Sequence, residues 1–304
     1  MRLGVLDVGS NTVHLQIMDA HHGSAPTAQS SFKEEIRLTQ YLDEMGSISE
    51  EGLQLLISAI KSVYKQTPNT ELDESLAFAT SAIREASNSD DILEKVRAST
   101  GIDLEVLSGS DEARFTFLAV RRWLGWSAGD ILMLDIGGGS LEIAHGEQEV
   151  PSSAFSLQLG AGRLARKFLK GDPYSEKSLS ELKDCIQEEL EPIRQQLGFV
   201  SKNFAIGTSK TFRTLKRIQM HYLPDLGEHL TLNGLNIMVP KLQKMTIKER
   251  SDLPSVSPGR ALQIVAGAMV AQSALKTLNL EYVVQCPWAL REGIVLRRLD
   301  WLKQ

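Results

Sequence analysis

The chain has 304 residues, 42% of them hydrophobic, and a net charge of −5 from 33 Lys and Arg against 38 Asp and Glu. That length gives about two domains with cores of their own, and the acidic balance argues against a protein that binds nucleic acid over its whole surface, while leaving room for a local basic groove. Cys185 and Cys286 stand far apart without metal-ligand spacing, so they read as two buried thiols in a reducing cytosol rather than a disulfide scaffold or a zinc site.

The start, Met1-Arg2-Leu3-Gly4-Val5, runs into a strand with no signal segment before it. No apolar run approaches the roughly 20 residues of a membrane span. The expectation is a soluble cytoplasmic protein with no nucleic-acid and no membrane partner. Residues 3–8 and 13–19 read as a hairpin, His21-His22-Gly23 as a surface turn, and 27–38 as a third strand. Ser49 opens a helix to Tyr64, with Leu53, Leu56, Ile57, Ile60 and Val63 on one stripe. A buried strand at 76–80, a helix at 90–99, a short strand at 104–107 and a helix from Ser110 or Asp111 to Leu124 follow. Gly125 to Gly129 marks a turn and a domain boundary. The second half restarts with strands 131–136 and 141–146. Helices near 160–170, 178–197, 210–220, 240–250 and 258–278 come next, with strands 203–206 and 281–285 among them. Both halves run strands first, then helix and strand in alternation. That order describes a duplicated α/β domain, 1–124 and 125–304, with the last helix able to pack back on the first half.

The duplication is visible in the residues. Leu6-Asp7-Val8-Gly9-Ser10-Asn11-Thr12-Val13 recurs as Leu134-Asp135-Ile136-Gly137-Gly138-Gly139-Ser140-Leu141. Each copy reads as strand, tight turn, strand, and such a turn presents backbone N–H groups to a phosphate. Asp7 and Asp135 add hard oxygen ligands suited to Mg²⁺. Ser10 and Asn11 in one turn, and Gly138, Gly139 and Ser140 in the other, are the candidate phosphate contacts. Arg84, after an apolar strand, can take phosphate oxygens bidentately or pair with Glu85 or Asp90 at the surface. Gly207-Thr208-Ser209-Lys210 opens a basic helix whose N-terminus attracts phosphate. Arg163, Arg166 and Lys167 form a second basic cluster, read as a solvated face. No Gly-x-x-x-x-Gly-Lys-Ser/Thr loop occurs. Trp123, Trp126, Trp288 and Trp301 read as core or interface residues.

Asp7 to Thr12, Thr80-Ser81-Ala82-Ile83-Arg84, Ser108-Gly109-Ser110-Asp111-Glu112-Ala113-Arg114, Asp135-Ile136-Gly137-Gly138-Gly139-Ser140-Leu141-Glu142 and Ala289-Leu290-Arg291-Glu292-Gly293 resemble, in order and across the whole chain, the exopolyphosphatase and guanosine pentaphosphate phosphohydrolase family. The resemblance implies an α/β fold of two duplicated ribonuclease-H-like lobes with an interlobe active-site cleft, in a short two-domain form. It implies Mg²⁺-dependent release of orthophosphate from the end of inorganic polyphosphate, and a homodimer. It maps a water-activating glutamate to Glu112, which the Glu-Ala-Arg order selects over Asp111; the plain reading of an acid there is a partner for the helix dipole. It maps a second glutamate to Glu142, whose plain reading is a solvent-facing position on an alternating strand; its counterpart in the first repeat is His14. The resemblance also gives Arg84 a phosphate contact. For Arg291 a phosphate contact and a salt bridge with Glu292 stand level. Relatives often carry Gly where this chain has Lys210, and Lys210 would crowd a nucleotide base. Guanosine pentaphosphate is therefore the alternative substrate, and a non-enzymatic polyphosphate or nucleotide sensor the second alternative.

Overall fold

Two restarts of one strand pattern give the chain two sheets. The computed structural model describes residues 1–67, 71–198 and 204–302. They fall into two compact units, Met1–Ala119 with Leu290–Gln304, and Val120–Ala289.

In the first unit, β1 (Arg2–Val8) and β2 (Thr12–Asp19) form an antiparallel hairpin, and β3 (Thr27–Glu35) pairs with β2. Parallel strands β4 (Glu74–Ala79) and β5 (Glu105–Val106) complete the order β3-β2-β1-β4-β5. The helices are α1 (Glu50–Gln66), α2 (Ser81–Arg84), α3 (Ser89–Thr100) and α4 (Gly109–Leu124). Alternation along β1 sends Leu6 and Val8 to one face, where they meet Leu53, Leu56, Ile60 and Val63 of α1 and Ile92 and Val96 of α3. Leu3 and Val5 go to the other face, and Asp7 follows them by the same period of two.

The second unit repeats the plan. Its strands are β6 (Ile131–Ile136), β7 (Leu141–Gly146), β8 (Ser153–Leu157), β9 (Ala205–Gly207), β10 (Leu230–Thr231) and β11 (Tyr282–Gln285), in the order β10-β11-β9-β6-β7-β8. Read from β8 inwards, the hairpin, its third strand and two parallel neighbours match the first sheet, with β10 added at the far edge. The helices are α5 (Ala161–Phe168), α6 (Glu176–Leu197), α7 (Lys210–Tyr222), α8 (Leu232–Lys244), α9 (Ile247–Ser251), α10 (Pro258–Ala261) and α11 (Ile264–Thr277). α11 is buried almost all round, as its run of Ile, Val, Ala and Met requires.

The last helix, α12 (Leu290–Trp301), belongs to the first unit. Val295 and Leu299 pack on Leu3, Val5, Met18 and Phe78, which puts α12 on the face of the sheet that carries Asp7. A Cβ on Gly293 would lie 1.9 Å from the Phe115 carbonyl oxygen of α4, so only glycine allows α12 to cross α4 this closely.

Several elements differ from expectation. The division into units falls inside α4, close to the expected boundary at Gly125, and 290–304 goes with the first unit, as the sequence allows for the last helix. The strand Ser153–Leu157 went unread, since Ser-Ala-Phe-Ser-Leu shows little alternation. The helix expected at 240–250 is two helices. Thr231 caps α8 well before Pro240, which sits inside it, and a capping box of Thr246 with Glu249 starts α9. Ser108, not Ser110 or Asp111, caps α4 by accepting the Asp111 N–H at 3.1 Å. Residue 203 of the expected strand 203–206 lies outside the described residues. Cys185 is half-buried and Cys286 buried. Trp126 and Trp301 are exposed rather than packed in a core.

Candidate active site

The register places two acids at equivalent points of the two hairpins. Asp7 lies opposite His14, and Asp135 opposite Glu142. Directly opposed residues share a sheet face, so each Asp has a polar neighbour beside it. The match His14–Glu142 read from the repeat is thus a match of position in the sheets.

In the first hairpin the Gly9 N–H closes the turn on the Thr12 carbonyl at 2.9 Å. Ser10 is buried, and its hydroxyl shares a 2.8 Å hydrogen bond with Ser81 at the start of α2. The Asn11 carbonyl accepts the N–H groups of Ile36 and Arg37. Arg291 donates from Nη1 to Asp7 Oδ2 at 2.9 Å and from Nε to Gln16 Oε1 at 2.8 Å. Its partner is therefore Asp7 rather than the adjacent Glu292. Burial raises the Asp7 carboxyl above its ordinary value, against the pull of the guanidinium. Burial, then Arg291 and Lys33, push His14 down to about 3, so this imidazole is neutral at pH 7.

At the start of α4 the adjacent acids part company. Asp111 takes the Ser108 hydroxyl and an ion pair from Arg114, and is half exposed. Glu112 turns inward and accepts from Arg84 Nη1 at 2.9 Å. The same Nη1 donates to the Leu107 carbonyl at 3.0 Å, and Nη2 lies 3.5 Å from Glu85. Arg84 thus joins the candidate base to the strand end beneath it, and its pairing with Glu85 is the longer contact.

In the second hairpin Gly137 N–H closes on the Ser140 carbonyl at 2.9 Å. Ser140 and Glu142 are each 2% exposed, so Glu142 is not the solvent-facing residue its strand position suggested. Ser156 of β8 donates its hydroxyl to Glu142 Oε1 at 2.8 Å. Thr208, fully buried, donates its hydroxyl to Asp135 Oδ2 at 2.6 Å, while its N–H binds the Leu134 carbonyl. Ser209 caps α7 at φ 53 and ψ 163, a region almost confined to glycine that costs about 1–3 kcal/mol. Gln285 holds this bend by donating to the carbonyls of Gly207 and Thr208. Lys210 and Arg213 stand exposed on the first turn of α7.

Three contributors escaped the sequence reading. Ser156 lies on the unread strand. Gln16 carried no signal beyond its place, one period of two before Met18. Arg163 was absorbed in a basic cluster, yet its Nε donates to the Gly139 carbonyl at 2.8 Å. The glycine spacing of Gly160 and Gly162 was the available clue, since a Cβ on Gly160 would lie 2.1 Å from the Gly139 carbonyl carbon.

A model of the Ppx/GppA phosphatase family matches residues 17–302. Exopolyphosphatase 1 of Mycobacterium tuberculosis is 50% identical over 305 residues, covering 99% of this chain and 89% of that protein. A guanosine-5′-triphosphate,3′-diphosphate pyrophosphatase of Photobacterium profundum is 26% identical over 298 residues, covering 98% of this chain and 59% of that protein. Among solved structures, an exopolyphosphatase from Cytophaga hutchinsonii superposes with a TM-score of 0.88 at 25% identity, covering 99% of this chain and 98% of that one.

Proposed function

The chain belongs to the Ppx/GppA phosphatase family, and we propose that it is an exopolyphosphatase, a hydrolase that cleaves the terminal phosphoanhydride of inorganic polyphosphate and releases orthophosphate. The observation that carries this reading is the 50% identity, over 99% of the chain, to a protein named Exopolyphosphatase 1. Phosphoanhydride hydrolysis asks for charge neutralisation and an oriented water rather than covalent chemistry from the protein. In this reading Glu112 accepts the proton of the attacking water. Arg84, 2.9 Å from it, orients that carboxylate and is a bidentate partner for phosphate oxygens. Gly138, Gly139 and Ser140 cradle phosphate with backbone N–H groups, and Ser209 and Lys210 supply a second anchor at the start of α7, above Thr208, whose N–H and hydroxyl are engaged by Leu134 and Asp135. Ser10 and Asn11 place the first turn beside the substrate, with the Ser10 hydroxyl shared with Ser81. Arg291 is assigned to Asp7 rather than to phosphate.

Mg²⁺, when bound, neutralises the charge on phosphate oxygens. Asp135, Glu142 and the Thr208 hydroxyl form an all-oxygen donor set that fits this ion. No cluster of three or more His, Cys, Asp or Glu with metal-binding geometry occurs among the described residues. Mg²⁺ commonly completes its shell with water and substrate oxygens. Asp7 is the weaker ligand, because Arg291 already engages one of its oxygens and repels a second cation.

No helix among the described residues is long and apolar enough to cross a membrane. Cytoplasmic residence and a homodimer, with no nucleic-acid or membrane partner, complete the proposal; a single-chain mass at sedimentation equilibrium would remove the dimer. The second reading, release of the 5′ terminal phosphate of guanosine pentaphosphate, is favoured by the likeness to the Photobacterium protein and disfavoured by Lys210.

The deciding experiment measures orthophosphate release with Mg²⁺ from short polyphosphate, long polyphosphate and guanosine pentaphosphate, with Glu112→Gln alongside. Loss of a general base lowers kcat about 10²–10⁴-fold. Release from polyphosphate that the variant loses supports the reading. Release from the nucleotide alone replaces the substrate, and binding of polyphosphate without any release replaces the enzyme with a sensor.

A further inference from the structure

The carbonyls of the second turn are tied down in series. Gly137 O accepts the Ala161 N–H at 3.0 Å, and Gly138 O accepts those of Gly162 and Arg163 at 2.9 Å each. Gly139 O accepts Arg163 Nε at 2.8 Å. All three therefore face the beginning of α5. A trans peptide points its N–H opposite to its C=O, and the cis bond found among the described residues is at Asp172–Pro173. The N–H groups of Gly138, Gly139 and Ser140 consequently point away from α5, side by side. Successive N–H groups aimed one way form a concavity for an anion.

The three ties differ in kind. The first two use backbone donors, brought within reach by the close approach that Gly160 and Gly162 allow. The third uses a side chain. The peptide between Gly139 and Ser140 is thus the one held by a side chain.

We propose that Arg163 is a positioning residue: by holding the Gly139 carbonyl it aims the Ser140 N–H at the phosphate that the turn receives. The inference rests on the polyphosphatase reading for its kinetic effect and on the turn geometry alone for its structural one. In its contact with the Gly139 carbonyl Arg163 acts through its Nε as a hydrogen-bond donor. Gln Nε2 lies the same number of bonds from the backbone as Arg Nε and also donates; Lys has no donor at that position.

The experiment compares wild type, Arg163→Ala, Arg163→Gln and Arg163→Lys in steady-state hydrolysis of short polyphosphate with Mg²⁺, and in amide hydrogen exchange at residues 138–140 without substrate. The expected result is a KM about tenfold higher in Arg163→Ala, the size of one lost hydrogen bond, with kcat little changed. Arg163→Gln should stay near wild type and Arg163→Lys should resemble Arg163→Ala. Exchange at Gly139 and Ser140 should quicken in the Ala and Lys variants only. A functional Arg163→Lys beside a defective Arg163→Gln would overturn the proposal in favour of direct charge contact with substrate. Unchanged kinetics and exchange in Arg163→Ala would overturn it outright. A wild type that releases no phosphate defeats the polyphosphatase reading, and the exchange pattern then decides the positioning role by itself. If Arg163→Ala does not fold, the contrast between the Gln and Lys variants decides.

Discussion

The two hairpins share a backbone plan and surround their aspartates with different neighbours. In the first, Asp7 lies opposite a neutral His14 and is balanced by Arg291. In the second, Asp135 lies opposite a buried Glu142, and hydroxyls of Thr208 and Ser156 attend the two acids. In one hairpin the aspartate is met by a guanidinium; in the other, two acids stand side by side with hydroxyl donors. Duplication therefore fixes where an acid stands, and its neighbours decide what that acid can do.

Changing the opposed residue breaks the comparison most directly. Glu142→Gln should raise the Mg²⁺ concentration for half-maximal hydrolysis about tenfold, the equivalent of ~1.4 kcal/mol, and lower kcat as well. His14→Gln, at the matching position, should leave the Mg²⁺ titration where it was; an equal shift in both variants would mean that the hairpins are not divided in this way.

Removing the internal cation tests the other side. Arg291→Ala leaves the Asp7 carboxylate without its guanidinium, and should cost about 2–4 kcal/mol, somewhat less than for a fully buried pair because both side chains are about one-fifth exposed. Adding Asp7→Asn should recover part of that loss in urea melts. Full additivity of the two substitutions would show that the pair contributes nothing.

A smaller effect is expected where α12 carries Arg291 to its place. Gly293→Ala puts a Cβ 1.9 Å from the Phe115 carbonyl oxygen and should destabilise by about 1–3 kcal/mol. Because α12 must shift, this variant should also weaken the Arg291–Asp7 coupling measured in the same cycle. A melting curve that matches wild type would place the helix crossing elsewhere.

The smallest effect calibrates the melts away from both hairpins. The Thr246 N–H and hydroxyl hold the exposed Glu249 carboxyl below its ordinary value. A lowered carboxyl stabilises the fold above its unfolded pKa and loses that contribution as pH falls through its folded one. Glu249→Ala should melt slightly earlier than wild type at pH 7, with the gap closing as pH drops below the carboxylate range. A gap that widens in acid would assign the effect to something other than the cap.

Much of the fold was legible because its signals are local. The alternation of β1 and β2, the stripe of α1 and the Asp-x-Gly turns need only a few neighbours to be recognised, and each reappears in the second half. Strand β8 was missed because Ser153 to Leu157 lies at a sheet edge and needs no strong alternation. The break at Thr246 is marked in the sequence only by the short Thr246–Glu249 capping box, inside a longer stretch compatible with helix. Glu112 and Glu142 are candidates through family motifs; their residue patterns alone suggest a dipole partner and a surface position. Arg84, Thr208 and Arg291 were named as phosphate ligands. The structure gives each of them a carboxylate as well, namely Glu112, Asp135 and Asp7.

By itself the sequence determined that there are two copies of one unit, that each begins with a hairpin, and that each hairpin ends its first strand in an aspartate. Those properties follow from residue type and spacing over less than ten positions. Only the tertiary structure decided the partners. Arg291 meets Asp7 from 284 residues away, Thr208 meets Asp135 from 73, and the face of α5 that holds the glycine turn is set by the fit of Gly160 against Gly139. Periodicity tells which face of an element a residue occupies; which distant element covers that face is settled by packing, and packing decides whether an acid meets a guanidinium or a hydroxyl.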